Sequence, residues 1–286
     1  MSTASSLVAL ARPKGTLLLL AVPLTGYGFA HWDYGIEARR PLALAFVLAA
    51  WSLLSAGSLW LNAALDGDEE GALFSNRVAR PKHLVAFGYL ALALSVAFAF
   101  IAGPWSGAAC FACAALAILY SHPRTMWKAH PLFGPFVNGV GYGLLSWIAG
   151  FAIVGVAMSA RTAAAMSLLT LFILGMYFAA QAYQREDDAR RGYRTLVVTR
   201  GPAACLRVAT ICMRVTLASV FVLAAFGIYP RLVLLGFPAF ILAERTMSRW
   251  RLAPGGGTPA LAAEFAMRML GGGTILVTLA TIDALR

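Results

Sequence analysis

The stretch LNAALDGDEEGALFSNRVARP, Leu61 to Pro81, opens inside an apolar run. It then gathers Asp66, Asp68, Glu69 and Glu70 before closing on Arg77, Arg80 and Pro81. The run it ends covers roughly residues 41–65, long enough at ~1.5 Å per helical residue to cross a ~30 Å hydrocarbon layer. A chain that spends so much length on lipid-soluble residues and then collects acid at one span end raises a question of chemistry. The rest of the sequence frames the answer.

Eight more apolar runs follow the same pattern, at roughly 15–32, 83–103, 104–121, 132–155, 163–184, 203–227, 230–246 and 266–284. They are apolar on every side for ~17–25 residues, whereas membrane barrel strands are ~10 residues of alternating pattern. Only 12% of the 286 residues are charged and 60% are hydrophobic, against about 25% charged in an ordinary soluble domain. The expectation is an all-α, polytopic membrane protein of about nine transmembrane helices, forming one domain over residues 1–286. No cleavable signal peptide is evident, because the apolar stretch after Lys14 lacks a small-residue cleavage site.

The net charge of +11 has a membrane explanation. Alternate connections hold Arg12 and Lys14; Arg77, Arg80 and Lys82; Arg124 and Lys128; Arg185, Arg190, Arg191, Arg194 and Arg200; then Arg245, Arg249 and Arg251. The intervening connections hold only Arg39, Arg40, Arg161 and Arg231. The positive-inside rule makes the first set cytoplasmic. The chain is therefore expected in the cell membrane, the inner one if bacterial, with its N-terminus inside and its C-terminus outside. No nucleic-acid partner is needed to account for the charge. Cys110 and Cys113 form a CxxC inside an apolar span with no second ligand pair, and Cys205 and Cys212 also lie in a span. All four read as packing residues rather than zinc or redox groups.

Of the twelve Asp and Glu residues, seven fall in two clusters, the second being Glu186, Asp187 and Asp188 in QAYQREDDARRGYRTL. Both clusters end an apolar span on the side assigned as cytoplasmic, so they can face each other. Asn62, Asp66 and Glu70 recur every four residues, which places them on one helix face. Gln184 and Asp188 repeat the interval, with Gln181 a further turn back. Neighbouring carboxylates repel by ~3 kcal/mol at an effective dielectric near 20, so a cation is expected among them. Hard oxygen donors select Mg²⁺ or Mn²⁺, and Mg²⁺ characteristically shares carboxylates with substrate phosphates. Arg77, Arg80, Lys128, Arg185 and Arg194 would hold the remaining phosphate oxygens. A ligand that is part diphosphate and part hydrocarbon fits such a site, and a prenyl diphosphate is both. Aromatic residues such as Trp60, Tyr142, Trp147 and Tyr177 offer faces to an allylic cation.

On these residues the chain resembles the UbiA superfamily of intramembrane prenyltransferases, and the likeness extends over most of its length. That family's first motif, NxxxDxxxD followed by Asn and Arg-Pro, is matched by Asn62, Asp66, Glu70, Asn76, Arg80 and Pro81. Its second, DxxxD followed by Gly and a Thr-Leu step, is matched by Gln184, Asp188, Gly192, Thr195 and Leu196. The intervening YS-x-P motif is matched by Tyr120, Ser121, Pro123, Arg124, Lys128 and Pro131, and an early Arg-Pro by Arg12 and Pro13. The resemblance implies a helical bundle around a central cavity, with Mg²⁺ held by Asn62, Asp66, Glu70, Gln184 and Asp188. Asp66 and Asp188 would be catalytic, Arg12, Arg77, Arg80, Lys128 and Arg194 would bind diphosphate, and Tyr120 and Tyr177 would touch substrate. The implied reaction moves a prenyl group from its diphosphate to a lipophilic acceptor, aromatic in much of the family. Two positions depart from the pattern: Glu70 stands for Asp, and Gln184 replaces a carboxylate with a neutral, poorer ligand. Asp187 or Glu186 would then be alternative ligands. Gln184 keeps two other outcomes open, a membrane terpene cyclase on the same diphosphate or a non-catalytic prenyl-lipid binding or transport protein.

Other features read more plainly. LAPGGGTP, Leu252 to Pro259, is expected to be a flexible connection, and LGGGT, Leu270 to Thr274, a place of close helix packing. His83, His122 and His130 read as interfacial polar residues.

Overall fold

The structure, a computed structural model, describes residues 2–37, 39–65 and 80–284. Helix α1 (Thr3–Leu10) is capped by the Ser2 hydroxyl, which accepts the Ser5 N–H at 3.2 Å. Helices α2 (Pro13–Tyr34) and α3 (Pro41–Leu65) each open on proline, whose missing N–H is no loss in a first turn and whose φ already suits a helix. Then come α4 (Leu84–Ala102) and α5 (Pro104–Ser121). A short 3-10 turn at Trp127–Ala129 leads to α6 (Phe133–Val137), a π-helical segment (Asn138–Leu145) and α7 (Ser146–Ala152). Helix α8 (Ala160–Gln181) precedes two short helices, α9 (Arg185–Arg190) and α10 (Leu196–Arg200). Finally α11 (Pro202–Ala225), a 3-10 turn at Arg231–Gly236, α12 (Phe237–Leu252) and α13 (Pro259–Ala284) complete the chain.

Every expected apolar run is helical among the described residues, and the apolar helices of full membrane length among them number fewer than the expected nine or so. Five helices, α3, α4, α5, α8 and α11, are long and apolar enough to cross a membrane. A sixth is added if α1 and α2, bent by 44°, count as one span. The run at 132–155 is helical without interruption over 133–152 but takes π geometry at Asn138–Leu145, where Gly139, Gly141 and Gly143 weaken the α-helical ladder. The run at 230–246 divides into a 3-10 turn and α12, which carries Glu244, Arg245, Arg249 and Arg251. Helix α13 starts at Pro259 rather than near 266, taking Glu264 into the helix.

The helices group into two compact units. Residues 1–27, 38–127 and 145–156 form the first. Its main seam is α3 against α4, where Gly57 and Gly88 let the backbones approach: a Cβ at Gly57 would lie 2.8 Å from the Gly88 carbonyl oxygen, and one at Gly88 would lie 2.7 Å from Leu61 Cγ. Helix association inside lipid relies on such small-residue contact, because hydrocarbon gives little hydrophobic drive between helices. The buried polar groups are paired side to side. Trp51 Nε1 donates to Ser146 Oγ at 2.7 Å, and Ser106 Oγ donates to the Ala149 carbonyl at 2.7 Å. Arg40 spreads its guanidinium over the carbonyls of Ala102 and Ile153, each at 3.3 Å, satisfying two helix ends.

The second unit comprises residues 28–37, 128–144 and 157–286. Asp33, at the end of α2, anchors the start of α8. Its nearly buried carboxylate accepts from Ser159 Oγ at 2.5 Å, Thr162 Oγ1 at 2.7 Å and Arg161 Nη1 at 3.1 Å. Further along α8, the glycine stripe of the π segment packs on Thr170 and Leu174, since a Cβ at Gly143 or Gly139 would lie 3.0 or 2.9 Å from them. The expected close packing at LGGGT holds for Gly272, whose Cβ would sit 2.9 Å from Ala239 on α12.

Replacing Gly57 by Val forces α3 and α4 apart. The expected loss is about 1–3 kcal/mol, the range for overpacking, read as a lower thermal midpoint in detergent with helical content retained.

Candidate functional site

The second acidic motif begins where α8 stops. Gln181 closes α8, and Gln184 caps α9 with φ −92° and ψ 7°, so the motif lies past the end of a span rather than within it. The four-residue interval survives the break, because the Asp188 N–H donates to the Gln184 carbonyl at 2.9 Å. After α9 the chain turns at Gly192, whose φ of +71° is costly for any residue with a Cβ. That turn returns Thr195 to the carboxylate: Thr195 Oγ1 donates to Asp188 Oδ2 at 2.7 Å, both residues being buried. The Arg194 N–H donates to the Ala129 carbonyl at 2.8 Å, which fastens the 3-10 turn bearing Lys128 beside the motif. The Arg194 side chain itself is exposed.

Lys128 is only 5% exposed, and its charge couples to Asp188. Burial pushes the Lys128 ammonium down to about 7, with Asp188 opposing the shift. Burial likewise pushes the Asp188 carboxyl up, and Asp187 adds to this, while Thr195 and Lys128 pull it down. For both partners desolvation outweighs mutual attraction. A cation at the carboxylate and an anion at the ammonium would each favour the charged form that burial disfavours.

Tyr177 approaches the same turn from α8. A Cβ at Gly134 would lie 2.3 Å from its hydroxyl and 3.4 Å from the Lys128 carbonyl, so glycine there is what admits the phenol. Gln181 Nε2 donates to Tyr177 Oη at 2.8 Å, and Gln181 Oε1 is buried with no hydrogen-bond partner. The sequence placed Gln181 one turn from the motif without a role; its interval of four from Tyr177 already puts the two on one face of α8, and only its burial is a tertiary fact. Gln184 directs Nε2 to the Tyr183 hydroxyl at a long 3.4 Å. Asp187 pairs with Arg190, and Glu186 is exposed, so neither alternative ligand turns inward with Asp188.

In the first unit, Asn62 sits on the last turn of α3 and accepts from Ser121 Oγ at 3.3 Å. This contact brings the opening of the first motif to the end of α5, which also carries Tyr120. Arg80 is half-buried, and its Nη2 is buried without a hydrogen-bond partner among the described residues. Arg12 lies between α1 and α2 with φ +48°, its carbonyl accepting from Gly15 and Thr16. Asp66, Glu70, Asn76 and Arg77 lie outside the described residues. Among the described residues no three His, Cys, Asp or Glu side chains form a metal-holding group. The donors present around Asp188 are oxygens, which suits Mg²⁺ and not zinc. His122 and His130 use Nδ1 to accept from nearby backbone N–H groups of Arg124, Leu132 and Phe133, in keeping with local polar roles. The four cysteines are buried and free.

Thr195→Val removes the hydroxyl that favours ionised Asp188 and raises the carboxyl further. The folded protein is expected to lose about 1–3 kcal/mol at neutral pH. Protonation makes the lost bond matter less, so the deficit shrinks as pH falls through the raised Asp188 pKa. Unfolding curves at neutral and acidic pH, with Thr195→Ser as the retaining control, measure it.

Among curated proteins none matches the chain by sequence. Solved structures do match in fold. A UbiA homologue from Archaeoglobus fulgidus, bound to DMAPP and Mg²⁺, superposes with a TM-score of 0.72 at 19% identity over 98% of this chain and 99% of that one. A digeranylgeranylglyceryl phosphate synthase gives 0.66 at 17% identity over 100% and 99%. The apo UbiA homologue from Aeropyrum pernix K1 gives 0.63 at 15% identity over 90% and 96%. The sequence profile of the UbiA prenyltransferase family spans residues 16–271, taking in both acidic motifs and the Lys128 loop, and the chain belongs to that family.

Proposed function

We propose that the protein transfers a prenyl group from a prenyl diphosphate to a lipophilic, aromatic acceptor within the membrane. The supporting observation is a buried lysine, Lys128, electrostatically coupled to a buried carboxylate, Asp188, just past the end of a membrane-length helix, with Thr195 fixing the carboxylate. The Archaeoglobus fulgidus homologue has been solved with GPP and Mg²⁺ and with DMAPP and Mg²⁺. By family membership the same classes of ligand are assigned to this chain. Asn62, Asp66, Glu70, Gln184 and Asp188 are the proposed metal ligands, with Asp66 and Asp188 essential to the reaction. Mg²⁺, when bound, supplies the positive charge that eases departure of diphosphate.

The chain's own groups do the rest. Lys128 donates its ammonium protons to phosphate oxygens, and the buried Nη2 of Arg80 offers another donor. Arg12, Arg77 and Arg194 are assigned to the same anion. Tyr177 and Tyr120 are assigned to the organic part of the substrates, Tyr177 held in place by Gln181. The Lys and Arg bias places the chain in the cell membrane with its N-terminus inside and its C-terminus outside. We treat residues 1–286 as one catalytic domain. Gln184 in place of a carboxylate supports a second outcome, intramolecular capture of the allylic cation, which product analysis without added acceptor distinguishes: a cyclic hydrocarbon or alcohol favours it.

Purified protein given labelled prenyl diphosphate and Mg²⁺ is expected to release diphosphate, and Asp66→Ala and Asp188→Ala are expected to reduce release to background. Release unaffected by both substitutions counts against the assignment. Binding has a pH signature as well. Lys128 is half neutral near pH 7, and an anion stabilises its charged form. Affinity for the diphosphate is thus expected to fall as pH rises past that value, with uptake of about one proton per ligand just above it. Lys128→Arg, permanently charged, removes the uptake; calorimetry in buffers of different ionisation enthalpy reads both.

A further inference from the structure

The turn after α12 reaches the break between α8 and α9. Trp250 is 1% exposed and stands edge-on to Phe265 of α13, ring centroids 5.6 Å apart. Its Nε1 donates to the Gly256 carbonyl at 2.7 Å. The 3-10 turn Pro254–Gly256 wraps the indole so closely that a Cβ at Gly257 would lie 2.7 Å from Cδ1 and Nε1. The expected flexible connection is therefore a packed element.

Gly256 is buried with φ +89°, and a Cβ there would lie 2.4 Å from the Ala182 carbonyl oxygen and 2.6 Å from Pro202 Cβ. Only glycine fits both the dihedral and the space. Ala182 is the first residue beyond α8 and is fully buried. Here the ladder tightens to i→i−3 bonds, Ala182 N to Ala179 O at 3.1 Å and Gln184 N to Gln181 O at 2.9 Å. Those bonds end α8 and swing Gln184 into the capping position where its carbonyl receives the Asp188 N–H. A continuous path of close contacts thus runs from Trp250 through Gly256 and Ala182 to Gln184.

We propose that Trp250 and Gly256 are positioning residues for the second motif: by holding the Ala182 end of α8 they set Gln184 against Asp188. This rests on the functional reading above, in which those two residues ligate metal. Neither Trp250 nor Gly256 touches ligand.

The test uses full-length protein in detergent, with Mn²⁺ as the metal probe followed by electron paramagnetic resonance, and hydrogen exchange over residues 182–190. Trp250→Phe keeps an aromatic ring beside Phe265 and removes the N–H together with part of the indole's volume; Gly256→Ala drives a Cβ into the Ala182 carbonyl. Both are expected to speed exchange in 182–190 while leaving α3 to α5 unchanged, and to weaken Mn²⁺ binding by about tenfold, the lower end of losses from outer-shell changes. Trp250→Phe decides the matter if Gly256→Ala does not fold. Parent-like Mn²⁺ affinity in folded Trp250→Phe overturns the inference, even with faster exchange, because the turn is then structural only. A parent protein that binds no Mn²⁺ overturns the functional reading and this inference together.

Discussion

A carboxylate and an ammonium buried side by side at the end of a lipid-spanning helix are held against the cost of leaving water. For Asp188 and Lys128 that cost outweighs their attraction, so the surrounding chain has to keep them in place. Thr195 supplies the hydrogen bond to the carboxylate, and the Arg194–Ala129 backbone contact keeps the lysine-bearing turn beside it. A protein surface at rest would relax such a pair into solvent.

The same end of α8 is shaped by absent side chains. Gly134 admits the Tyr177 hydroxyl, Gly139 and Gly143 let the π segment lie on α8, and Gly256 presses on Ala182. At the other end of that helix, Asp33 gathers Ser159, Arg161 and Thr162. Helix α8 is thus fixed at its start by hydrogen bonds and along its length by contact, which lets its final turn present Tyr177 and Gln181 in defined positions. Small residues do in lipid what apolar bulk does in a soluble core.

Much of this was legible from residue order. Apolar runs of membrane length give helices because every backbone polar group must be satisfied within its own segment, and all nine runs are helical among the described residues. Asp188 and Lys128 were identifiable because a basic and an acidic residue next to apolar runs are costly unless used. The run at 132–155 takes π geometry in its middle, and α12, at 16 residues, is shorter than a full span, so the long apolar α-helices among the described residues number five, or six with the bent pair. The PGGG turn looked flexible because composition does not reveal that an indole lies under it.

The sequence by itself determined the helical membrane class and the family, since these follow from hydropathy, charge placement and short-range motif spacing. Only the tertiary structure decided that α8 ends three residues before Gln184, that Thr195 grips Asp188, that Gln181 is buried, and that Trp250 reaches Ala182 through Gly256. The physical reason is range: spacing along one helix fixes which side chains share a face, whereas contacts between residues dozens of positions apart depend on how closely backbones pack, and that is settled by every neighbouring helix at once.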